Sequence, residues 1–423
     1  PEFKGIDNEV VLISLDIDNS GMVDFDELDK NYTRIKELIN EGKIISANSI
    51  KYGGIGRSIS EMSFGNKIGF KFNENVNREN LFLPLYGSII VEMKGEVEEL
   101  LEGINYEILG KTIEGKYIEI SGEKIDLEEL IEEWKKPLKS VFPIKEDKDY
   151  SKVEVNYTKE NIKPRSVKVL KPRVFIPIFT GTHGEYDMEE SFIEAGAEVD
   201  SFVFRTLNLE DIDYSYKEMA RRIKNCQILA IPNGAVLGDE PDGGGKLIAN
   251  ILKNSYVEEA IMDLLDRDGL IIGIGNGFQA LLKSGLLPYG KVCELDEKSL
   301  NITKNDLGHH ISTMAKVELI SNLSPWFNNM NVGDMEILPL STKEGRVVGD
   351  KETIEELMEK GQIPTLFIGE NPTGSTFGIE SITSPDGRIL GRLLSSDRVG
   401  KDLYKNVKLN EGKIFKAGVN YFK

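Results

Sequence analysis

A chain of 423 residues, 40% of them hydrophobic, is long enough for two or three domains with proper cores. A formal net charge of −19 argues against nucleic-acid binding, which draws on clustered Lys and Arg, and the acidic residues, scattered through Glu-Lys-rich helices, read as solvated faces. No apolar run approaches the length that crosses a bilayer and the start shows no charged-then-apolar signal, so no membrane partner and a cytoplasmic location are expected.

Two cysteines, Cys226 and Cys293, are too few and too unpatterned for a disulfide framework or a structural zinc site. Cys226 opens the apolar run CQILAIP and reads as a small buried hydrophobe.

In chain order, residues 10–15 read as a strand and 28–42 as a helix, with Tyr32, Ile35, Leu38 and Ile39 at helical spacing. Between them DIDNSGMVDFDE places Asp16, Asp18, Ser20, Gly21, Asp24 and Glu27 at positions one, three, five, six, nine and twelve of a calcium loop. A helix should precede such a loop, whereas VVLISL is strand-like. The expectation is therefore an acidic turn capping the following helix, with calcium as the alternative.

Strands over 44–50, 68–72 and 86–93, helices ending near 64 and spanning 127–134, and a turn at Tyr52-Gly53-Gly54 complete the first part. Strands and helices mix without strict alternation, which predicts an α+β domain over 1–140, its sheet covered by helices on one side. Residues 51–72, KYGGIGRSISEMSFGNKIGFKF, resemble the C-terminal lobe of the aminoimidazole ribonucleotide (AIR) synthetase superfamily. Gly53, Gly54, Glu61, Met62, Phe64, Gly65 and Asn66 match its pattern. That superfamily's ATP-binding half should precede such a lobe and is absent here.

Residues 141–170, rich in Lys, Glu, Asp and Pro, read as an extended linker that pairs one strand over 153–157. From 171 to 423 the alternation becomes regular. Strands are expected over 173–178, 198–204, 227–231 and 269–274, and helices over 187–195, 216–224, 246–254 and 257–265. Serial β-α units predict a largely parallel, doubly wound α/β sheet of flavodoxin-like type, with helices on both faces. Its turns at 180–185, 233–238 and 275–277 should share one crevice at the carboxyl ends of the strands.

The run GLIIGIGNGFQALLKSG is the centre of this domain: a buried strand, a break at Gly275-Asn276-Gly277, and a helix carrying Phe278, Leu281 and Leu282 on one face. Strand, sharp turn and helix form the frame that lifts a nucleophile above an α/β sheet, and its middle residue here is Gly275. Near the C-terminus, Ser384-Pro385-Asp386-Gly387 forms a hairpin turn between strands over 378–383 and 388–394.

In order, IPNGAVLGDEPDGGGK, GIGNGFQALLKSGLLPYG, SNLSPW, EGR, NPTGS and SPDGRILG resemble the class I glutamine amidotransferase family, in particular the domain that closes single-chain phosphoribosylformylglycinamidine synthases. The resemblance implies a cysteine thiolate attacking the glutamine amide, a histidine base, and a glutamate that orients it. Those positions hold Gly275, Ser395 and Asp397, and the oxyanion turn reads Asn233-Gly234-Ala235-Val236 where the family prefers two glycines and a Phe-Ser pair. Glutamine hydrolysis is therefore not expected. Asn233, Gly234, Asn276, Gly277 and Gln279 are the expected pocket residues.

Ser395 or Ser396 as a substitute nucleophile would need His183 as its base, and loop serines are the expectation. His309 and His310 read as a surface turn rather than a metal site. For the parent protein the resemblance implies ATP, magnesium and a small-molecule substrate in purine synthesis, with the missing N-terminal synthetase part as partner and no cofactor in this chain. Three readings remain: a scaffold within that synthase or a paralogue, a non-catalytic ligand-binding protein, or an unrelated flavodoxin-like protein in which the hairpin and first-domain motif are coincidences.

Overall fold

The computed structural model describes residues 1–15, 22–141, 156–158, 168–236, 239, 243–400, 403, 404, 407 and 413–423. Asp16, Asp18, Ser20 and Gly21 of the calcium-loop pattern lie outside these residues, as does most of the strand expected over 153–157. The chain divides into two compact units, Pro1–Phe142 and Pro143–Lys423.

The first unit contains, in order, β1 (Glu9–Ile13), α1 (Phe25–Asn40), β2 (Ile44–Ser49), α2 (Gly54–Phe64), β3 (Gly69–Phe72), β4 (Ile89–Met93), α3 (Val97–Leu100), β5 (Tyr106–Ile113), β6 (Tyr117–Ile120), β7 (Glu123–Asp126) and α4 (Leu127–Lys135). Its seven strands form one sheet in the order β2-β4-β1-β5-β3-β6-β7, antiparallel except where β3 meets β6.

Side chains along a strand point alternately to opposite faces. Val10 and Leu12 accordingly pack with Ile55, Ile59 and Met62 of α2 and Leu127 of α4. Val11 and Ile13 pack with Ile35 and Leu38 of α1 and Val97 of α3. Both faces are thus covered, which corrects the expectation of helices on one side only. The physical reason is the run VVLI in β1 and IIV in β4: consecutive apolar residues leave each face needing a cover. Asp24 caps α1, its carboxylate accepting from the Asp26 and Glu27 amides at 2.9 and 3.1 Å.

The second unit contains β8 (Arg173–Ile178), α5 (Glu185–Glu194), β9 (Glu198–Val203), α6 (Leu209–Asn225), β10 (Ile228–Ile231), α7 (Lys246–Leu252), α8 (Ser255–Asp266), β11 (Leu270–Ile274), α9 (Asn276–Lys283), α10 (Leu286–Tyr289), β12 (Asn301–Thr303), β13 (Ile311–Leu319), β14 (Met335–Thr342), β15 (Arg346–Val348), α11 (Lys351–Glu359), β16 (Thr365–Phe367), β17 (Ser381–Thr383), β18 (Ile389–Arg392) and α12 (Lys413–Asn420). The main sheet runs β17-β18-β11-β10-β8-β9, parallel from β18 to β9 with β17 antiparallel at the edge. β14-β13-β16 and β12-β15 form two smaller sheets beside it.

Helices lie on both faces of the main sheet. Leu229, Ile231 and Ile271 pack with Ile248 of α7, Ile261 of α8 and Phe278 of α9. Ile228, Ala230 and Ile272 pack with Phe192 of α5 and Phe415 of α12. α6 begins at Leu209 rather than at 216, because the Asn208 side chain accepts from the Asp211 amide at 2.8 Å and caps a first turn too acidic to show apolar spacing. Tyr157 joins this unit through its amide, which donates to Ile320 O at 2.8 Å, and a parallel bridge to Ser321.

The sheet order reverses at β8, from which the chain steps out to β9 and then back across to β10 and β11. Such a reversal opens a crevice beyond the carboxyl ends of the neighbouring strands.

Candidate functional site

Gly275 ends β11 and precedes α9 at φ 54° and ψ −107°, a conformation that side-chain-bearing residues adopt only under strain. Its amide donates to Arg392 O of β18 at 2.9 Å, which holds the turn against the hairpin. α9 starts at Asn276, earlier than the expected Phe278. Gly277 lets that first turn approach β10: a β-carbon there would lie 2.2 Å from Ile231 O.

Two further turns close on this elbow. Thr182 and Gly234 form a bridge, the Ala235 amide donates to Gly181 O at 2.9 Å, and the His183 amide donates to Asn233 O at 3.2 Å. The turns expected to share one crevice therefore do meet, although Leu237 and Gly238 of the middle one lie outside the described residues.

Asn233 sits where the three turns converge and is 8% exposed. Its Oδ1 accepts from the Gly234 amide at 2.9 Å and from the Asn276 amide at 3.1 Å. Two backbone N–H groups aimed at one carbonyl oxygen are the arrangement that stabilises an oxyanion in acyl transfer.

The Asn276 side chain donates from Nδ2 to Asp239 Oδ2 at 2.8 Å and to Gln279 Oε1 at 3.2 Å. Gln279 in turn donates to Glu344 O at 2.9 Å, while Glu344 Oε2 accepts the Gly244 amide at 2.7 Å. Asn276 and Gln279 are thus fixed by a network to which Asp239 and Glu344 are essential. Neither was among the expected pocket residues; Asp239 within IPNGAVLGDEPDGGGK and Glu344 within EGR were legible only as motif landmarks.

At the end of β18 the chain supplies the remaining expected positions. The Ser395 amide donates to Pro339 O at 2.9 Å, and Ser396 Oγ accepts from Arg392 at 2.8 Å. Arg392 is wholly buried between Glu380 and Glu336, at 3.1 and 3.4 Å, an ion cluster under the loop.

Asp397 is 5% exposed, and neither carboxylate oxygen has a hydrogen-bond partner among the described residues. Burial pushes its pKa up from 3.8 to about 7. Arg398, next to it, is spent elsewhere: Nε donates to Asp187 at 3.0 Å, and Nη2 lies 3.2 Å from His183 Nδ1. Among the described residues, no hydrogen bond joins His183 to Ser395 or Ser396. His309 Nδ1 contacts His310 O at 2.8 Å and His310 Nε2 contacts Ser341 Oγ at 3.1 Å, both on the surface.

The geometry is that of a strand-turn-helix elbow at Gly275. Among the described residues no thiol or imidazole is hydrogen-bonded to Ser395 or to the Asp397 carboxylate, and His183, on the adjoining turn, faces Arg398 instead. Comparison with known proteins agrees on the kind of domain. A family model described as the CobB/CobQ-like glutamine amidotransferase domain matches residues 171–422. The phosphoribosylformylglycinamidine synthase subunit PurQ of Wolinella succinogenes is 28% identical over 229 residues, covering 54% of this chain and 92% of that protein. PurQ of Nostoc sp. is 30% identical over 176 residues, covering 42% and 71%. PurQ of Treponema denticola is 29% identical over 283 residues, covering 60% and 99%. Among solved structures, PurLQS from Thermotoga maritima aligns with a TM-score of 0.45 at 20% identity, over 60% of this chain and all of that one.

Proposed function

The chain belongs, through residues 171–422, to the CobB/CobQ-like glutamine amidotransferase domain family, and on that footing we propose that its second unit is an amidotransferase domain that does not hydrolyse glutamine. Its C-terminal half is homologous to PurQ, the glutaminase subunit of a purine-biosynthetic synthase. The proposed role is that of a scaffold in a phosphoribosylformylglycinamidine synthase or close paralogue, which would then take ammonia from solution or from another glutaminase.

The observation that carries this reading is the side-chain content of the elbow. A thioester needs a sulfur, and Gly275 has no side chain. A serine nucleophile needs a base, and Ser396 Oγ is instead bonded to Arg392. Among the described residues no imidazole is hydrogen-bonded to the Asp397 carboxylate.

Residues 1–140 lie outside the family match, and their assignment to the C-terminal lobe of an AIR-synthetase-like half is a proposal that rests on the Gly53 to Asn66 motif alone. Support comes from the turn at Gly53 and Gly54, with φ 95° and 63°, where a β-carbon on Gly54 would lie 2.5 Å from Leu81 O. The relatives are named as subunits, so the partner in this reading is the rest of the synthase, including the part that would hold ATP and magnesium.

The test is incubation with L-glutamine: glutamate should appear no faster than in a control without protein, and faster release refutes the proposal. A second reading, ligand binding without catalysis, is favoured by the buried acceptors Asp239 Oδ1, Asn276 Oδ1 and both Asp397 oxygens, which lack donors among the described residues. Saturation-transfer NMR with glutamine, glutamate and nucleotides distinguishes it, since a scaffold gives no transfer to any of them.

A further inference from the structure

We propose that Asn233 is a built-in occupant of the elbow pocket, its own carboxamide taking the place of an incoming amide carbonyl, and that Gly275 is the residue that makes room for it. The identification of the place rests on the amidotransferase reading above; the coupling of the two residues rests on geometry alone.

Asn233 Oδ1 is held by the Gly234 and Asn276 amides at 2.9 and 3.1 Å, two donors that would otherwise point at a substrate oxygen. A β-carbon added at residue 275 would lie 2.3 Å from that oxygen, 2.6 Å from the Asn233 carboxamide carbon and 3.0 Å from its nitrogen. A non-bonded carbon and oxygen do not approach to the first of these distances, so a side chain at 275 and the Asn233 carboxamide in its present rotamer exclude one another. Swinging Asn233 aside would strip both amides of their acceptor in a site that is nearly closed to water.

The surrounding turn leaves little slack. A β-carbon on Gly234 would sit 2.8 Å from Gly181 O, and one on Gly184 would sit 3.3 Å from both the Asn233 amide nitrogen and Asp397 Oδ2. In this account the glycine at 275 and the asparagine at 233 are one change made in two places. The carboxamide bars an external carbonyl, and restoring a side chain at 275 alone cannot reopen the pocket.

A double-mutant cycle on the full chain tests the coupling, with N233G, G275A, the N233G/G275A double variant and the parent compared by thermal unfolding. Alanine brings the same backbone strain at 275 in either background, so that cost cancels. The G275A penalty should shrink by about 3–6 °C when Asn233 is glycine. Equal penalties in the two backgrounds overturn the proposal.

Should G275A fail to fold, hydrogen exchange in N233G alone decides. The Asn276 amide should exchange about tenfold faster than in the parent, as expected when one buried hydrogen bond is lost, and unchanged exchange is contrary. Glutamate release is measured separately on each variant. Release by the parent chain would refute the non-hydrolysing reading without touching the coupling, and additivity would refute the coupling without touching that reading.

Discussion

At the scale of single residues, the second unit carries two buried charges of opposite fate. Arg392 is neutralised on both sides, by Glu380 and Glu336. Removing it as R392M should leave two buried carboxylates unpaired and cost about 3–5 kcal/mol, read as a shifted midpoint in urea unfolding. Replacing all three members with apolar residues of similar volume should recover most of that loss.

Asp397 has no such neutraliser, and burial holds it at about 7 against an ordinary 3.8. Between those values the folded chain keeps a proton that the unfolded chain has released. Its contribution is therefore complete below pH about 3.8 and is lost as the pH rises through about 7. D397N should stabilise the fold at pH 8 by at most on the order of 4 kcal/mol, and flatten the slope of stability between about pH 4 and 7. An unchanged slope would show that Asp397 is not the group responsible. None of this was visible in the sequence. Glu336 lies 56 residues from Arg392 along the chain, Glu380 stands 12 residues away across the expected hairpin without marking itself as an ion partner, and SSDR gives no sign that one carboxylate is sealed away from donors.

At the scale of elements, most of the frame was legible because the local signals agree with the packing. The strand over 173–178 and the Ser384-Gly387 turn fall where apolar runs and turn residues place them. The strands β12 to β16 and the helices α11 and α12 were not anticipated, and other failures came where charge or a consecutive apolar run obscured the period. The start of α6 is hidden by NLEDIDYSY and set by the Asn208 cap. The two-sided cover of the first sheet is hidden because VVLI fits either face.

The elbow was legible as strand, turn and helix, yet the destination of the Asn233 carboxamide was not, since it depends on a contact with a residue in another turn. Two variants check the element-level account. G277A would put a β-carbon 2.2 Å from Ile231 O and should destabilise by about 1–3 kcal/mol through forced separation of α9 from β10. N208A removes the α6 cap and should cost about 1 kcal/mol, with helix content falling at its first turn in hydrogen exchange.

At the scale of the molecule, two independently cored units carry different amounts of information about function. The second belongs to an amidotransferase family over residues 171–422, and its crevice lies at the reversal of a parallel sheet. The first is a seven-stranded sheet with helices on both faces, and it lies outside the residues that the family model matches. No described helix is long and apolar enough to span a membrane.

The central claim is that the second unit kept the walls of an amide-cleaving pocket while position 275 lost its nucleophile. Glutamate release from L-glutamine by the full chain tests it most directly, followed over time against a control without protein. The account predicts identical traces at every glutamine concentration, and a rate that rises above the control and saturates with glutamine would contradict it.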